Sequence, residues 1–320
     1  MKNTVDFKYN ELVKTILEQG EMELPEDVRT VYADGTKAPT KKIINYQVKY
    51  DTTKEVPLLT TKRVPTVDPV KEILWIWQKM SNDVNVLNEM GCKVWDEWKR
   101  EDSTIGRAYG WQLKNKLQSV TVSEVLIEMF FNNELSFKPS KTDIELGKDY
   151  YLSFIKEDEY EIKLNQVDYL LYTLKSNPHS RRIKTTLWCV EDLHDMALQP
   201  CVYETHWIVY NGKLNLTVNV RSNDIALGNP YNVYQYFVLL KMIAQVTNYE
   251  SGELCFNIDI PHIYDRHIDS VKEIIKNEPK PAPKFIIDPE VTDFYKFTRD
   301  SFRMEGYEYS DFSGKIPVAL

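Results

Sequence analysis

Long apolar runs are absent from this sequence. Its two most apolar stretches, residues 70–78 and 236–246, are shorter than the roughly 18 residues that span a membrane, and both contain charged or amide side chains. The N-terminus places apolar Val5, Leu12 and Ile16 at helical spacing, which indicates an amphipathic helix and not a signal peptide. We therefore expect a cytoplasmic protein with no membrane partner.

Cysteine and glycine are also scarce, and the sequence has no excess of positive charge. The four cysteines lie far apart and form no Cys-x-x-Cys pair, so neither a disulfide framework nor a metal cluster is indicated. Eleven glycines and 15 prolines in 320 residues exclude collagen-like and linker-like chains. A net charge of −8 argues against a nucleic-acid partner held by bulk electrostatics. We expect a reducing compartment, no metal and no nucleic acid.

The composition is that of an ordinary globular protein, with 42% apolar and 28% charged residues. Helix and strand patterns alternate along most of the chain, which predicts an α/β fold. We expect a strand pair over 42–62, a hairpin with its Asn-Gly turn at 211–212, and one strand over 253–264. Residues 114–165 are rich in Lys and Glu and indicate an insertion with a small fold of its own.

Cys201 is the first candidate for chemistry. It follows a proline at the entry to a predicted strand, in the segment LQPCVYETHW. A lone cysteine is more often a small buried apolar residue than a nucleophile. Arg221, however, is placed across the predicted hairpin from Cys201, and a nearby guanidinium lowers the pKa of a thiol and favours the nucleophilic thiolate.

A second candidate site is the segment RSNDIALGNPYN, residues 221–232. Its Asn and Asp residues could serve only to cap the helix that follows. They also suit a nucleotide, because an arginine and a serine can bind a phosphate, and an amide offers one donor and one acceptor to a uracil edge. The residues concerned are Arg221, Ser222, Asn223, Asp224, Gly228 and Asn232. Two more arginines at 181–182 could bind phosphate or lie on a solvated face.

These segments, in this order and spacing, resemble the thymidylate synthase family. The resemblance begins with LQPCVYETHW, RSNDIALGNPYN and PHIYDRHID, and it extends through EDVRT, VPLLTTKR, KEILWIWQ, VWDEW, IGRAYGWQL, SRR and the terminal KIPVAL. It covers about four-fifths of the chain, essentially everything outside 114–165. That family converts dUMP and 5,10-methylenetetrahydrofolate into dTMP and dihydrofolate. The resemblance therefore implies a folate-dependent methyltransferase that needs no metal.

The resemblance implies catalytic roles for four residues. Cys201 matches the nucleophile that adds to C6 of the dUMP ring, and Arg221 matches an arginine that binds the phosphate and neighbours the thiol. Glu72 matches the carboxylate that moves protons through water, although a glutamate in a buried helix could instead be a structural hydrogen-bond partner. Tyr109 matches a residue close to proton abstraction at C5.

The resemblance also implies binding roles. The positions that match ligands of the nucleotide are Arg29 and Ser222 at the phosphate, Asn232 at the pyrimidine, and His262 and Tyr264 at the ribose. Asn223 and Asp224 are also expected to bind the substrate. A further pair, Arg181 and Arg182, matches arginines that reach the site of the partner subunit. The positions that match the surroundings of the folate are Lys62, Trp95, Trp98, Asp224, Gly228 and Ala319. Tryptophans at such positions are core residues in many sequences, and only the resemblance assigns them to the folate.

The resemblance implies an α+β fold in one catalytic domain over 1–320, with the variable insertion at about 114–165. Its mixed sheet should carry helices on one face. Apolar residues alternate along 205–220 with no obvious cover for both faces of the sheet. We therefore expect the second face to form the interface of a homodimer.

The sequence departs from the family pattern at four positions. Val202 and Pro65 stand where relatives carry histidines, and Tyr231 replaces a phenylalanine before Asn232. Ile260 stands where relatives carry an aspartate two residues before the matching histidine. This last change removes a carboxylate from the local hydrogen bonding around the ribose and the catalytic cavity.

Two alternative functions are left open by these residues. A deoxyuridylate hydroxymethylase would use the same substrates, and water would attack the exocyclic methylene in place of the folate hydride. Ile260, at the position of the missing aspartate, leaves this reaction open. Trp95 and the complete C-terminal tail favour a closed, dry site and hydride transfer instead. A non-catalytic or RNA-binding regulator on the same fold is the third hypothesis, and the acidic composition together with Cys201 and Glu72 argues against it.

Overall fold

The computed structural model describes residues 3–123, 152–156, 159–312, 314 and 316–319. The α-helices of this part are α1 (Thr4–Gln19), α2 (Asp68–Ile73), α3 (Val84–Glu89), α4 (Gly110–Asn115), α5 (Gln166–Ser176), α6 (Gly228–Val246) and α7 (Ile268–Ile274). A π-helical turn, Leu74–Gln78, continues α2. The strands are β1 (Glu21–Met22), β2 (Thr40–Lys42), β3 (Tyr46–Asp51), β4 (Gln118–Ser123), β5 (Leu152–Lys156), β6 (Glu159–Leu164), β7 (Lys184–Thr186), β8 (Val202–Tyr210), β9 (Lys213–Val220), β10 (Asn223–Asp224), β11 (Glu250–Ile258), β12 (Pro261–Tyr264), β13 (Lys284–Ile287) and β14 (Phe302–Glu305).

The central sheet has five strands in the order β3-β11-β9-β8-β7. It is mixed, because β9 and β11 run parallel while the other neighbouring pairs are antiparallel. The turn between β8 and β9 forms as predicted, with φ of +50° at Asn211 and +72° at Gly212, as a tight Asn-Gly hairpin turn requires. Leu214, Leu216 and Val218 of β9 are buried on the face that α6 covers. The α/β class is confirmed.

The other face of β9 is polar. Its side chains are Lys213, Asn215, Thr217 and Asn219, none of them fully buried. Cross-strand hydrogen bonds satisfy part of this face, since Asn257 Nδ2 donates to Asn219 Oδ1 at 2.9 Å and Asn219 Nδ2 donates to Glu204 Oε1 at 2.8 Å. The alternating apolar residues of β9 thus all lie under α6. β8 leaves Ile208 and Tyr210 exposed, at 39% and 68%, so cover of this sheet by a second subunit stays a prediction.

The single strand predicted over 253–264 is two strands in two different sheets. β11 belongs to the central sheet, whereas β12 pairs with β2 and β10 in a four-stranded sheet of order β1-β2-β12-β10. The central-sheet ladder ends at Ile258, and β12 begins at Pro261, which has no N–H to donate. The carbonyl oxygen of Ile260 instead accepts the backbone N–H of Asn223 at 3.1 Å. This break brings His262 beside Asp224 of β10.

Only the first half of the strand pair predicted over 42–62 forms. β3 pairs with β11, and the segment after the turn joins no sheet. Its backbone N–H groups have another acceptor, because Thr60 and Thr61 each donate to the Asp6 carboxylate of α1 at 2.9 Å. A buried carboxylate thus takes the place of a neighbouring strand. It also fixes the chain just before Lys62.

Strands β4, β5 and β6 form a separate three-stranded antiparallel sheet of order β4-β6-β5. The insertion predicted at 114–165 falls in part outside the described residues, and the domain division stays a prediction. Across the described ranges, no helix is long and apolar enough to cross a membrane. In the same part of the chain no group of His, Cys, Asp or Glu side chains is arranged to hold a metal ion.

Candidate active site

Cys201 lies directly before β8, beside Arg221 at the end of β9. The backbone N–H of Arg221 donates to the Cys201 carbonyl oxygen at 2.9 Å, so the two residues meet across the hairpin as predicted. The guanidinium folds back on the loop before the cysteine, where Nε donates to Pro200 O at 2.9 Å and Nη2 to Gln199 O at 2.8 Å. Its other N–H groups stay available for an anion.

Two opposing effects act on the Cys201 thiol. Burial raises its pKa, and the Asp224 carboxylate adds to the rise. The Arg221 guanidinium lowers the thiol pKa in the predicted direction, but burial outweighs it. Formation of the thiolate therefore depends on groups that offset burial, and Arg221 is one of them.

Tyr109 contacts the same cysteine through its hydroxyl group. Its hydroxyl oxygen accepts the backbone N–H of Cys201 at 3.2 Å. The φ of Tyr109 is +48°, a conformation that costs a non-glycine residue about 1–3 kcal/mol and is typical of functional sites. Gly110 permits this approach, because a Cβ at that position would lie 2.3 Å from the carbonyl oxygen of Ser81.

Glu72 is buried in α2 and hydrogen-bonded to an indole. Trp95 Nε1 donates to Glu72 Oε1 at 2.7 Å. Burial raises the pKa of the carboxyl, while the Trp95 indole, Tyr231 and Gln235 oppose the rise by favouring the charged form. The Trp95 ring packs edge-on against Tyr109, with 5.1 Å between ring centroids. Contacts thus run from Cys201 through two aromatic rings to Glu72.

Asn232 lies within a set of buried amides. Its Oδ1 accepts from Asn223 Nδ2 at 3.2 Å, and its Nδ2 donates to Gln235 Oε1 at 3.4 Å. Asn223 in turn accepts at Oδ1 from Asn229 Nδ2 at 2.7 Å. Asn223 and Asn232 therefore meet as the segment 221–232 suggested. Sequence reasoning missed Asn229 and Gln235, although both stand on one face of α6 with Asn232, at three-residue spacing.

The residues expected at the ribose also cluster. The His262 and Tyr264 rings meet edge-on with centroids 5.2 Å apart, and the Ser222 hydroxyl lies 3.5 Å from His262 Nδ1. His262 Nδ1 also lies 3.2 Å from the carbonyl oxygen of Ile260. A backbone group thus partners the imidazole at the position where the aspartate of the family pattern is missing. Burial lowers the pKa of His262 and favours the neutral ring.

Two of the residues expected around the folate, Lys62 and Ala319, have separate contacts in the structure. Lys62 Nζ donates to Ala226 O at 2.5 Å, and burial lowers its pKa to about 8. Ala319 bridges to Tyr32 at the end of the described chain.

His267 joins this region and was missed by sequence reasoning. Its Nε2 donates to the carbonyl oxygen of Pro317 at 2.6 Å, and its Nδ1 lies 3.6 Å from Asp224 Oδ1. The signal was available, since His267 closes the PHIYDRH motif three residues after Tyr264.

Three arginines stand apart from these contacts. Arg29, Arg181 and Arg182 are exposed, and none forms a side-chain hydrogen bond or ion pair with a residue that the structure describes. Trp98 packs on Trp95 with ring centroids 5.4 Å apart and is half-buried. Gly228 begins α6 next to the amides, where an added Cβ would lie 3.8 Å from Asn223 Nδ2.

Comparison with known proteins identifies relatives over nearly the whole chain. A family model described as Thymidylate synthase matches residues 7–319. The thymidylate synthases of Bacillus subtilis subsp. natto and Bacillus phage phi3T are each 47% identical over 307 residues, which are 96% of this chain and 96% of each relative. The thymidylate synthase of Bacillus atrophaeus is 49% identical over 257 residues, 80% of this chain and 96% of that relative.

A solved structure agrees with these sequence matches. The thermostable thymidylate synthase A from Bacillus subtilis is similar with a TM-score of 0.82, at 46% sequence identity and with 99% of both chains covered. The matches confirm the predicted fold, favour a synthase over a hydroxymethylase and contradict a non-catalytic regulator. This chain belongs to the thymidylate synthase family and is a methyltransferase of that type.

Proposed function

We propose that the site converts dUMP into dTMP with 5,10-methylenetetrahydrofolate, and that Cys201 is its nucleophile. The supporting observation is the contact of Cys201 with both Arg221 and Tyr109, continued through Trp95 to Glu72. A thiol, a fixed positive charge and a buried carboxyl of raised pKa are the groups that activation of a uracil ring requires.

The nucleotide phosphate is bound by arginines. Arg221 offers the N–H groups that its two loop carbonyls do not use, and Ser222 and Arg29 add donors. Arg181 and Arg182 serve the site of the partner subunit, a role supported by their exposure and by their lack of side-chain partners among the described residues. His262 and Tyr264 bind the ribose hydroxyl.

The covalent step begins at Cys201. The thiolate adds to C6 of the uracil, and the electron pair of the C5–C6 double bond moves toward C5 and O4, so that C5 becomes nucleophilic. Glu72 exchanges protons with O4 through water, for which a carboxyl of raised pKa is suited. Tyr109 lies beside the cysteine and assists removal of the C5 proton. Loss of Cys201 from C6 then restores the ring.

The residues near the C-terminus fit a reduced folate. When bound, the folate supplies the one-carbon unit and the hydride. The Trp95 and Trp98 rings offer apolar surface to a flat heterocycle, and the Asp224 carboxylate offers an acceptor to its N–H groups. His267 Nδ1 is buried and lies 3.6 Å from that carboxylate, and its contact lowers the pKa of Asp224 and favours the charged acceptor. The proposed surroundings of the folate also include Lys62, Gly228 and Ala319.

The proposal includes the assembly, the domain division and the compartment. A homodimer is supported by Arg181 and Arg182, whose side chains have no hydrogen-bond or ion-pair partner in the part of the chain that the structure describes. Sedimentation of a monomer at micromolar concentration would count against it. A single domain with an insertion at 114–165 is supported by the Bacillus atrophaeus relative, whose 257 matched residues are 96% of its length, so that it is shorter than this chain by about 50 residues. Four free cysteines support a reducing cytoplasm.

One incubation tests the reaction. The enzyme is mixed with dUMP and 5,10-methylenetetrahydrofolate, dihydrofolate is followed by its absorbance, and the nucleotide product is weighed by mass spectrometry. Dihydrofolate together with a methylated nucleotide supports the proposal. Tetrahydrofolate together with a hydroxymethylated nucleotide would overturn it, as would the absence of any new nucleotide.

A further inference from the structure

Four amide side chains form one hydrogen-bonded series with a single direction. Asn229 donates to Asn223 at 2.7 Å, Asn223 donates to Asn232 at 3.2 Å, and Asn232 donates to Gln235 at 3.4 Å. In each link an amide nitrogen meets an amide oxygen. Asn223, Asn229 and Gln235 are at most 3% exposed, so water does not replace these partners. We call this series the amide relay.

The amide relay ends beside the carboxyl group of Glu72. Gln235 Nε2 is buried and has no hydrogen-bond partner among the described residues, and the Gln235 amide lies close enough to Glu72 to favour its charged form. An ionised carboxylate accepts hydrogen bonds and cannot donate. With Glu72 ionised, the orientation that suits both neighbours is nitrogen toward Glu72 and oxygen toward Asn232, and it is the oxygen that meets Asn232 in the structure. The same constraint then passes along the series to Asn223 and Asn229.

This constraint determines what Asn232 presents to a ligand. One of its two N–H groups goes to Gln235, and one lone pair of Oδ1 accepts from Asn223. One N–H and one lone pair remain, in fixed positions. Those two groups match O4 and N3–H of uracil. Rotation of the amide by half a turn would instead match the amine and N3 of cytosine.

We propose that the amide relay selects uracil over cytosine by fixing the orientation of the Asn232 amide, with Asn223, Asn229 and Gln235 as positioning residues. The inference rests on the proposed function of Asn232 as the residue that contacts the pyrimidine. It adds that selectivity is set by side chains that do not touch the base. A buried amide that is rotated by half a turn places donors against donors. Each polar group left unpaired in this way costs about 1–3 kcal/mol of free energy.

The test reverses the orientation of the Asn232 amide by substitutions at other residues of the amide relay. Asn223→Asp replaces the donor to Asn232 by an acceptor of the same shape, so Asn232 should turn its nitrogen toward residue 223. Asn229→Asp should act through one more link, by turning the Asn223 amide and thereby the Asn232 amide. Gln235→Glu keeps an acceptor facing Asn232 and should keep the orientation. Asn115→Asp, an exposed change of the same charge on α4, is the matched control.

The measurement is calorimetric binding of dUMP and of dCMP to each full-length variant. We expect the ratio of the dCMP Kd to the dUMP Kd to fall by about ten- to a hundredfold in Asn223→Asp, and by less in Asn229→Asp. The ratio should stay near the wild-type value in Gln235→Glu and Asn115→Asp. If Asn223→Asp does not fold, Asn229→Asp decides.

The proposal is overturned if the Kd ratio of Asn223→Asp, or of Asn229→Asp where the first variant does not fold, equals that of the wild type. It is also overturned if this variant loses affinity for dUMP and dCMP equally, or if the ratio falls in Gln235→Glu. Failure of the proposed function is a separate result, seen as a wild-type enzyme that makes no methylated product from dUMP.

Discussion

Replacement of Trp95 by phenylalanine should move the pH dependence of catalysis through Glu72. The indole N–H donates to the carboxylate at 2.7 Å in a buried setting, and a hydrogen bond to a charged group contributes about 1.5–3 kcal/mol. Phenylalanine cannot donate, so the charged form of Glu72 loses this stabilisation and its pKa rises. At about 1.4 kcal/mol for each pH unit, the expected rise is about one to two units.

The assay is the pH profile of kcat/KM with dUMP, followed by dihydrofolate absorbance. In the proposed mechanism ionised Glu72 accepts protons, so the acid limb of the profile should move to higher pH in Trp95→Phe. Trp98→Phe is the control, because Trp98 packs on Trp95 but does not bind Glu72. An acid limb that stays in place, with activity lowered equally at every pH, would refute the reasoning and leave Trp95 a packing role only.

Three further changes test other parts of the site. Cys201→Ser should abolish turnover while dUMP still binds in calorimetry, and retention of more than a few per cent activity would mean that the nucleophile is another residue. Asp6→Ala should lower the free energy of unfolding in urea by about 2–6 kcal/mol, because the buried N–H groups of Thr60 and Thr61 each lose an acceptor worth about 1–3 kcal/mol; a loss below about 1 kcal/mol would contradict this. Asn232→Asp should slow dUMP turnover and relax discrimination against dCMP, whereas unchanged discrimination would show that other groups contact the base.

Local patterns in the sequence predicted local structure well. The Asn-Gly turn, the amphipathic α1 and the apolar run of α6 all form, because turn geometry and hydrophobic period act within a few residues. Cys201 and Arg221 were placed together for the same reason, since a hairpin fixes which residues lie opposite. The resemblance to a known family added the more distant members of the site.

The structural features that the sequence did not predict depend on residues far apart in the chain. The second strand of 42–62 does not form because Asp6, about 54 residues away, binds the N–H groups of Thr60 and Thr61. The strand over 253–264 changes sheets at Pro261, and its hydrophobic pattern gives no sign of the change. Neither the contact of His267 with Pro317 nor the order of the buried amides follows from spacing, since tertiary packing decides both.

The departures of this chain from the family pattern are tolerable because backbone groups hold much of the site. The Ile260 carbonyl contacts His262, so a missing carboxylate at residue 260 does not leave the imidazole without a partner. Arg221 is held by two loop carbonyls, and Tyr109 by the Cys201 N–H. A side-chain substitution leaves such groups in place as long as the backbone keeps its path. Changes at positions such as 202 and 260 can therefore accumulate. Gly110, where a Cβ would meet the Ser81 carbonyl oxygen at 2.3 Å, cannot change without moving Tyr109 away from the Cys201 N–H.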